Sequence, residues 1–265
     1  MVVSGRQAVH RRPDGPSGPR CCKWTSPSYG CRGAWSTIDC GRASLVVEVD
    51  VNDISDRVRA MYDEAAPSYE SEPAHGIAPG EHASWIADLG DALPSGIGLV
   101  AADVGSGTGV FSRFLVASGY AVVGFEPSAL MRAQAESRQT AGVEYVDGDA
   151  ISVAEHRVAW NLIAARQSVC HFQDPLKVFK CWKESLAAGG RVLIVAGLWS
   201  RASWDDERVV DALPLSCVHT RATLTYLLRC AGFKSVTHQW LSAVNRHHRV
   251  GDGEVDSRYV AVAEP

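Results

Sequence analysis

Short apolar runs of strand length alternate with helix-spaced apolar positions through most of this chain. The first run, Ile97, Leu99, Val100, Ala101 and Ala102, ends at Asp103, and the spacing Val110, Phe111, Phe114, Leu115 then predicts a helix. Residues 121–137 read as a second strand, an acid at its tip, and a helix opened by Pro127 at its first turn. Residues 143–152 supply a third strand, and residues 160–175 a fourth followed by Asp174-Pro175 opening a helix. Residues 185–197 read as helix end, Gly-Gly turn and fifth strand, and residues 224–236 as a helix ending in Ala-Gly-Phe before a sixth strand. Upstream, Val58, Met61, Tyr62 and Ala65 repeat at helical spacing, with Asp53 or Ser55 as cap and Pro67 as stop. A second helix is expected near Glu81–Leu89.

The junction after the first strand carries the chemistry. Gly105, Gly107 and Gly109 occupy alternate positions between strand and helix. Strand, glycine turn and helix make the first crossover of a doubly wound sheet, where a nucleotide-like ligand lies against backbone at the strand's carboxyl end. Each glycine removes a Cβ that would hold such a ligand off. A dinucleotide site wants G-x-G-x-x-G, and here Val110 stands where its third glycine belongs. Asp103 is expected to point its carboxylate into the crevice, beside an ammonium or sulfonium group more readily than a pyrophosphate. Glu126 lies 21 residues beyond Gly105, at the place where an acid accepts both ribose hydroxyls.

These segments, in this order, resemble the class I S-adenosylmethionine-dependent methyltransferases, of the small-molecule type. The likeness covers about residues 53–265. It implies a Rossmann-like α/β fold: seven strands, mostly parallel, in the order 3-2-1-4-5-7-6, the last antiparallel, with helices on both faces. It implies cofactor contacts from Asp103, Gly105, Ser106, Gly107 and Gly109, and from Glu126 and Pro127. Asp149, beside Ala150, fits the family's contact to the adenine amino group, with Asp147 as competitor. Arg166 and Gln167 fall near the methionine portion. Tyr62 and Tyr69 match a Tyr-Asp-x-x-Ala-x-x-Tyr segment that folds over the cofactor in many relatives, although Tyr62 also suits plain packing of its helix. Trp199 and Trp204 suit either an acceptor pocket or the core.

Methyl transfer from a sulfonium needs no metal and no covalent nucleophile. It needs the acceptor in line with the methyl carbon, at about 3–3.5 Å, with water excluded. An acceptor hydroxyl would gain from a base, and His171, after the fourth strand, is the candidate. The Asn/Asp-Pro-Pro-Tyr motif of enzymes acting on nucleic-acid amines is absent after that strand, and so is the Pro-Cys nucleophile of cytosine carbon methyltransferases. With Asn161 in place of a common Asp, a magnesium-dependent catechol site is unsupported. A small-molecule acceptor at oxygen, nitrogen or carbon remains, with S-adenosylhomocysteine as the second product. Two other readings stay open: a domain that binds the cofactor without methyl transfer, as scaffold, cyclase or decarboxylase, and an NAD(P)-dependent oxidoreductase.

Composition adds two points. The net charge of −4 offers no general attraction to nucleic acid, and no apolar run approaches the roughly 20 residues that span a bilayer. The charge is uneven, however: residues 1–44 carry +5 and the remainder −9. Those first residues are rich in Pro, Gly, Ser and Arg and hold Cys21, Cys22, Cys31 and Cys40 at a spacing unlike usual zinc sites. They read as a disordered extension or an early start, with residues 45–265 as the methyltransferase domain and lid helices at about 53–90. Cys170, Cys181, Cys217 and Cys230 fall in or beside core elements, which suits reduced thiols in the cytoplasm.

Overall fold

In the computed structural model the apolar runs become strands of one sheet. Residues 51–265 are described, apart from 73, 74, 79, 199, 200, 202, 203, 205, 219, 248, 251–253, 256 and 257. The expectations for residues 1–44, their four cysteines and Trp199 fall outside the described residues. The strands are β1 (Val100–Val104), β2 (Ala121–Phe125), β3 (Val143–Val146), β4 (Trp160–Arg166), β5 (Leu186–Ala196), β6 (Ser235–Trp240) and β7 (Tyr259–Glu264). Their order is β3-β2-β1-β4-β5-β7-β6, the one the resemblance implies. The first five are parallel, and β7 runs antiparallel to both β5 and β6.

Alternate strand residues feed two cores, as a sheet covered on both faces requires. Ala102, Val104, Ile163, Ala165, Val192 and Ile194 join Phe179, Trp182 and Leu228 on one face. Ala101, Leu162, Ala164, Leu193 and Val195 join Trp85, Phe111, Phe114 and Leu115 on the other. The first face takes α5 (Ser152–Glu155), α6 (Pro175–Ser185) and α7 (Ala222–Cys230); the second takes α2 (His82–Leu89), α3 (Val110–Ala117) and α8 (Ser242–His247). Asn161 explains its own difference from the family pattern. Its Oδ1 accepts the Val100 backbone N–H at 3.0 Å and ties β4 to the start of β1. The four described cysteines are free thiols; Cys170 is buried and Cys230 exposed.

Two helix starts differ from expectation. α1 spans Val51–Ala65, so Asp53 and Ser55 lie inside it and cap nothing. Asp53 bonds Arg57 one turn on, at 2.8 Å, and Ser55 Oγ accepts from Gln173 Nε2 at 2.9 Å. α4 (Ala129–Ser137) opens after Pro127: the cap is Ser128, whose Oγ accepts from the Met131 N–H. A hydroxyl that satisfies an otherwise orphan N–H outweighs the ring's preset φ in deciding where the helix begins.

Candidate active site

The glycine turn serves three different neighbours. Gly105, Gly107 and Gly109 have φ of 68°, 56° and 79°, a region open to glycine at little cost. A Cβ on Gly105 would meet Ser168 Cβ at 2.5 Å, and one on Gly109 would meet the Tyr145 hydroxyl at 2.1 Å. Only Gly107 faces open space, with Tyr69 Cε1 4.0 Å away. Bare backbone thus borders open space at Gly107 alone of the three, whereas Gly105 admits the loop after β4 and Gly109 the third strand.

A cavity of about 400 Å³ opens at this end of the sheet. Its walls include Gly105, Gly107, Glu126, Pro127, Asp149, Ala150, Arg166, Gln167, Tyr62, Tyr69 and His171. Asp103, Ser106 and Gly109 do not line it. Asp103 corrects the expectation of a carboxylate in the crevice: it is fully buried, and its Oδ2 accepts from Ser112 Oγ at 2.6 Å, on the first turn of α3. Burial raises its pKa to about 6. Its Oδ1 has no hydrogen-bond partner.

Glu126 sits at the tip of β2 with both oxygens engaged by backbone. Oε2 accepts from Gly107 N at 2.9 Å and Oε1 from Ser128 N at 2.8 Å. Burial raises its pKa, while these two N–H groups work against the rise. Each oxygen keeps a further lone pair for a hydroxyl donor. At the next strand tip Asp149 Oδ1 accepts from the backbone N–H groups of Ile151 and Ser152, fixing the turn. Trp182 Nε1 holds the same turn from below through Ala150 O at 2.8 Å. Asp147 is 72% exposed, pairs with Arg132 at 3.2 Å and is not on the cavity wall.

β4 delivers the opposite wall. Arg166 Nη2 donates to His75 O, while Nη1 is buried without a partner. Gln167 holds φ at 58° with its N–H on Val195 O at 2.8 Å. For a side-chain-bearing residue that conformation costs roughly 1–2 kcal/mol, a strain typical of functional turns. His171 ends the 3-10 turn that follows. Its Nε2 is 3.1 Å from the Tyr62 hydroxyl, and its ring packs edge-on against Tyr62 and Trp204. Burial lowers its pKa to about 4, so the imidazole is neutral at ordinary pH.

The roof is α1 and the turn after it. Tyr62 and Tyr69 line the cavity from this side, their rings 5.9 Å apart, and Tyr69 stacks on His75 at 4.1 Å. Glu70 anchors the segment through Arg113 at 3.0 Å and Arg138 at 3.2 Å. Sequence reading missed Ser55, Val58, Ser168, Phe172, Gln173 and Lys177 on the walls. Helical spacing from Tyr62 points to Val58 and Ser55, but the loop residues carry no such signal. Among the described residues no three His, Cys, Asp or Glu side chains gather as a metal site, and no helix is long and apolar enough to cross a membrane.

Residues 77–239 match the model of a family described as a methyltransferase domain. No curated protein matches in sequence. Among solved structures, the chain is similar to phosphoethanolamine N-methyltransferase 2 of Haemonchus contortus, bound to phosphomonomethylethanolamine and S-adenosylhomocysteine. The TM-score is 0.59 at 19% identity, over 82% of this chain and 61% of that one. The present chain therefore spans under two thirds of that enzyme. It is also similar to DhpI in complex with S-adenosylhomocysteine, with TM-score 0.57 and 18% identity over 82% of this chain and 98% of that one. The CcbJ methyltransferase of Streptomyces caelestis follows, with TM-score 0.55 and 16% identity over 77% of this chain and 97% of that one.

Proposed function

Because the chain belongs to the methyltransferase-domain family of class I, S-adenosylmethionine-dependent enzymes, we propose that it methylates a small-molecule acceptor in the cavity under α1. The observation that carries this reading is Glu126: a buried carboxylate on the cavity wall, clamped by the N–H groups of Gly107 and Ser128. That arrangement suits two vicinal ribose hydroxyls. The cavity, about 400 Å³, falls in the range that encloses small ligands.

The residues present fit the cofactor at three further points. Arg166 offers a buried guanidinium nitrogen with no partner, the donor that an amino-acid carboxylate would take. Gly107 leaves open space where a Cβ would stand. Asp149 has committed Oδ1 to its turn, and its second oxygen suits the adenine amino group, with Pro127 and Ala150 as flanking surface. S-adenosylmethionine, once bound, supplies a methyl group on a sulfonium sulfur, a leaving group already activated. Tyr62 and Tyr69 close the roof and exclude water. Gln167 presents its strained peptide beside them. His171, neutral by burial, takes the proton of an acceptor hydroxyl at Nε2, with the Tyr62 hydroxyl passing it on. An acceptor amine or carbon that is already nucleophilic leaves this pair only a positioning role.

That the acceptor is small is supported by the size of the cavity and by the small phosphorylated amine bound to the Haemonchus contortus enzyme. A cytoplasmic setting is part of the same reading, supported by the free thiols. Calorimetry with S-adenosylhomocysteine and with NAD tests the proposal, followed by an acceptor screen using labelled S-adenosylmethionine. Saturable S-adenosylhomocysteine binding and label transfer are expected. Tight NAD binding in its place would end the reading.

A further inference from the structure

Asp63 follows Tyr62 on α1 but does not line the cavity. It reaches out of the roof to the start of α4. Asp63 Oδ1 accepts from Ser128 Oγ at 2.5 Å and from Leu130 N at 3.1 Å. Ser128 is the N-cap of α4, and its backbone N–H is one of the two that clamp Glu126.

We propose that Asp63 is a positioning residue that clasps the roof helix to the ribose acid, so that roof closure and cofactor binding are one coupled event. This rests on the reading that Glu126 meets the cofactor ribose.

Ser128 Oγ has one proton and gives it to Asp63, while it accepts from Met131 N at 3.1 Å. Its backbone N–H goes to Glu126 Oε1 at 2.8 Å. Leu130 N, another orphan donor of the first helical turn, also goes to Asp63. The turn that aims Ser128 N at Glu126 is thus completed by a carboxylate from a helix 65 residues earlier in the chain. A negative charge at a helix N-terminus is favoured by the dipole as well. The Ser128 hydroxyl, first, and the Leu130 N–H hold the Asp63 carboxyl below the usual range, so it stays charged at ordinary pH. Opening α1 removes this partner and leaves the first turn of α4 short of two bonds. Binding at Glu126 is then strongest with the roof down.

The test uses the full chain, S-adenosylhomocysteine as probe, and two measurements: calorimetric affinity and hydrogen exchange across residues 53–65. In the unaltered protein the probe should bind and slow exchange in α1. In Asp63→Ala affinity should fall roughly tenfold, and exchange in α1 should no longer respond to the probe. Asp63→Asn, whose amide oxygen can accept the same two donors, should restore most of both. If Asp63→Ala does not fold, Ser128→Ala breaks the clasp from the other side and should give the same loss. A lower melting temperature with unchanged affinity and an unchanged exchange response would make Asp63 a helix cap only and overturn the clasp. Failure of the unaltered protein to bind S-adenosylhomocysteine would overturn the cofactor reading, and the clasp with it.

Discussion

The Tyr62 hydroxyl and His171 Nε2 lie 3.1 Å apart, a hydrogen bond that joins the roof to the loop after β4 beside the cavity. The imidazole is buried and held neutral, with its pKa lowered to about 4.

The first prediction follows from that value. If the acceptor must lose a proton, the active form carries unprotonated His171, and its population is lost as pH falls through about 4. The rate with such an acceptor should therefore be level from pH 8 to about 5 and drop only below. His171→Ala should lower turnover by about 10² or more, the lower end of general-base effects, because a base this weak has less drive. Affinity for S-adenosylhomocysteine should be nearly unchanged. A rate that falls with an inflection near 6.5 would end the assignment of a buried neutral base.

Glu126→Ala should weaken S-adenosylhomocysteine binding about 10- to 100-fold, since a hydrogen bond to a charged group is worth about 1.5–3 kcal/mol. The loss should appear equally with adenosine as ligand, which carries the same ribose. Full affinity in calorimetry would remove the ribose contact.

Arg166 can be separated from Glu126 by choice of ligand. Arg166→Met keeps much of the buried stem and removes the charge. It should cost S-adenosylhomocysteine roughly tenfold or more in affinity and leave 5′-methylthioadenosine, which lacks the amino-acid group, nearly untouched. Equal losses for the two ligands would show that Arg166 supports the fold and does not hold a carboxylate.

Asp103 gives a prediction about stability. Its pKa rises on folding from 3.8 to about 6 through burial. For a raised value the contribution to stability is intact below pH 3.8 and is lost as pH rises through 6. Asp103→Asn keeps an acceptor for Ser112 Oγ and does not ionise. It should be more stable than the unaltered protein above pH 6, by on the order of 1–3 kcal/mol, and the gap should close toward pH 4. Melting curves of both proteins across that range, without cofactor, decide it.

Residues 1–44 show no apolar pattern with which to join a core. Their deletion should leave the melting temperature and S-adenosylhomocysteine affinity of the remaining chain nearly unchanged. A large drop in either would show that the segment packs.

The parts of this molecule legible in sequence are those written locally. Val100–Val104 and Trp160–Arg166 are apolar runs because both faces of the sheet are covered, and the turns between them carry glycine or acids at fixed offsets. Glu126 stands out by its offset from the glycine turn, and Asp149 and His171 by the resemblance of their segments to the family. The reach of Asp63 and the place of Gln173 are not legible, because their partners lie 65 to 118 residues away and leave no local pattern. The orientation of Asp103 escaped for a different reason. A residue near a strand's end can face the crevice or the following helix, and Ser112, on the first turn of α3, decides for the helix. Pro127 misled because a proline before a helix marks its approach as readily as its first turn.

Gly105 and Ser168 leave no room between the two halves of the site. A Cβ on Gly105 would fall 2.5 Å from Ser168 Cβ, and Ser168 Oγ is in turn fastened to Val104 O at 2.7 Å. Three residues beyond Ser168 stands His171. An alanine at 105 would thus press on the loop that carries His171 as well as alter the cavity wall. For anyone recruiting this scaffold to new acceptors, the glycine turn is at once a part of the pocket wall and a handle on the loop that carries the histidine.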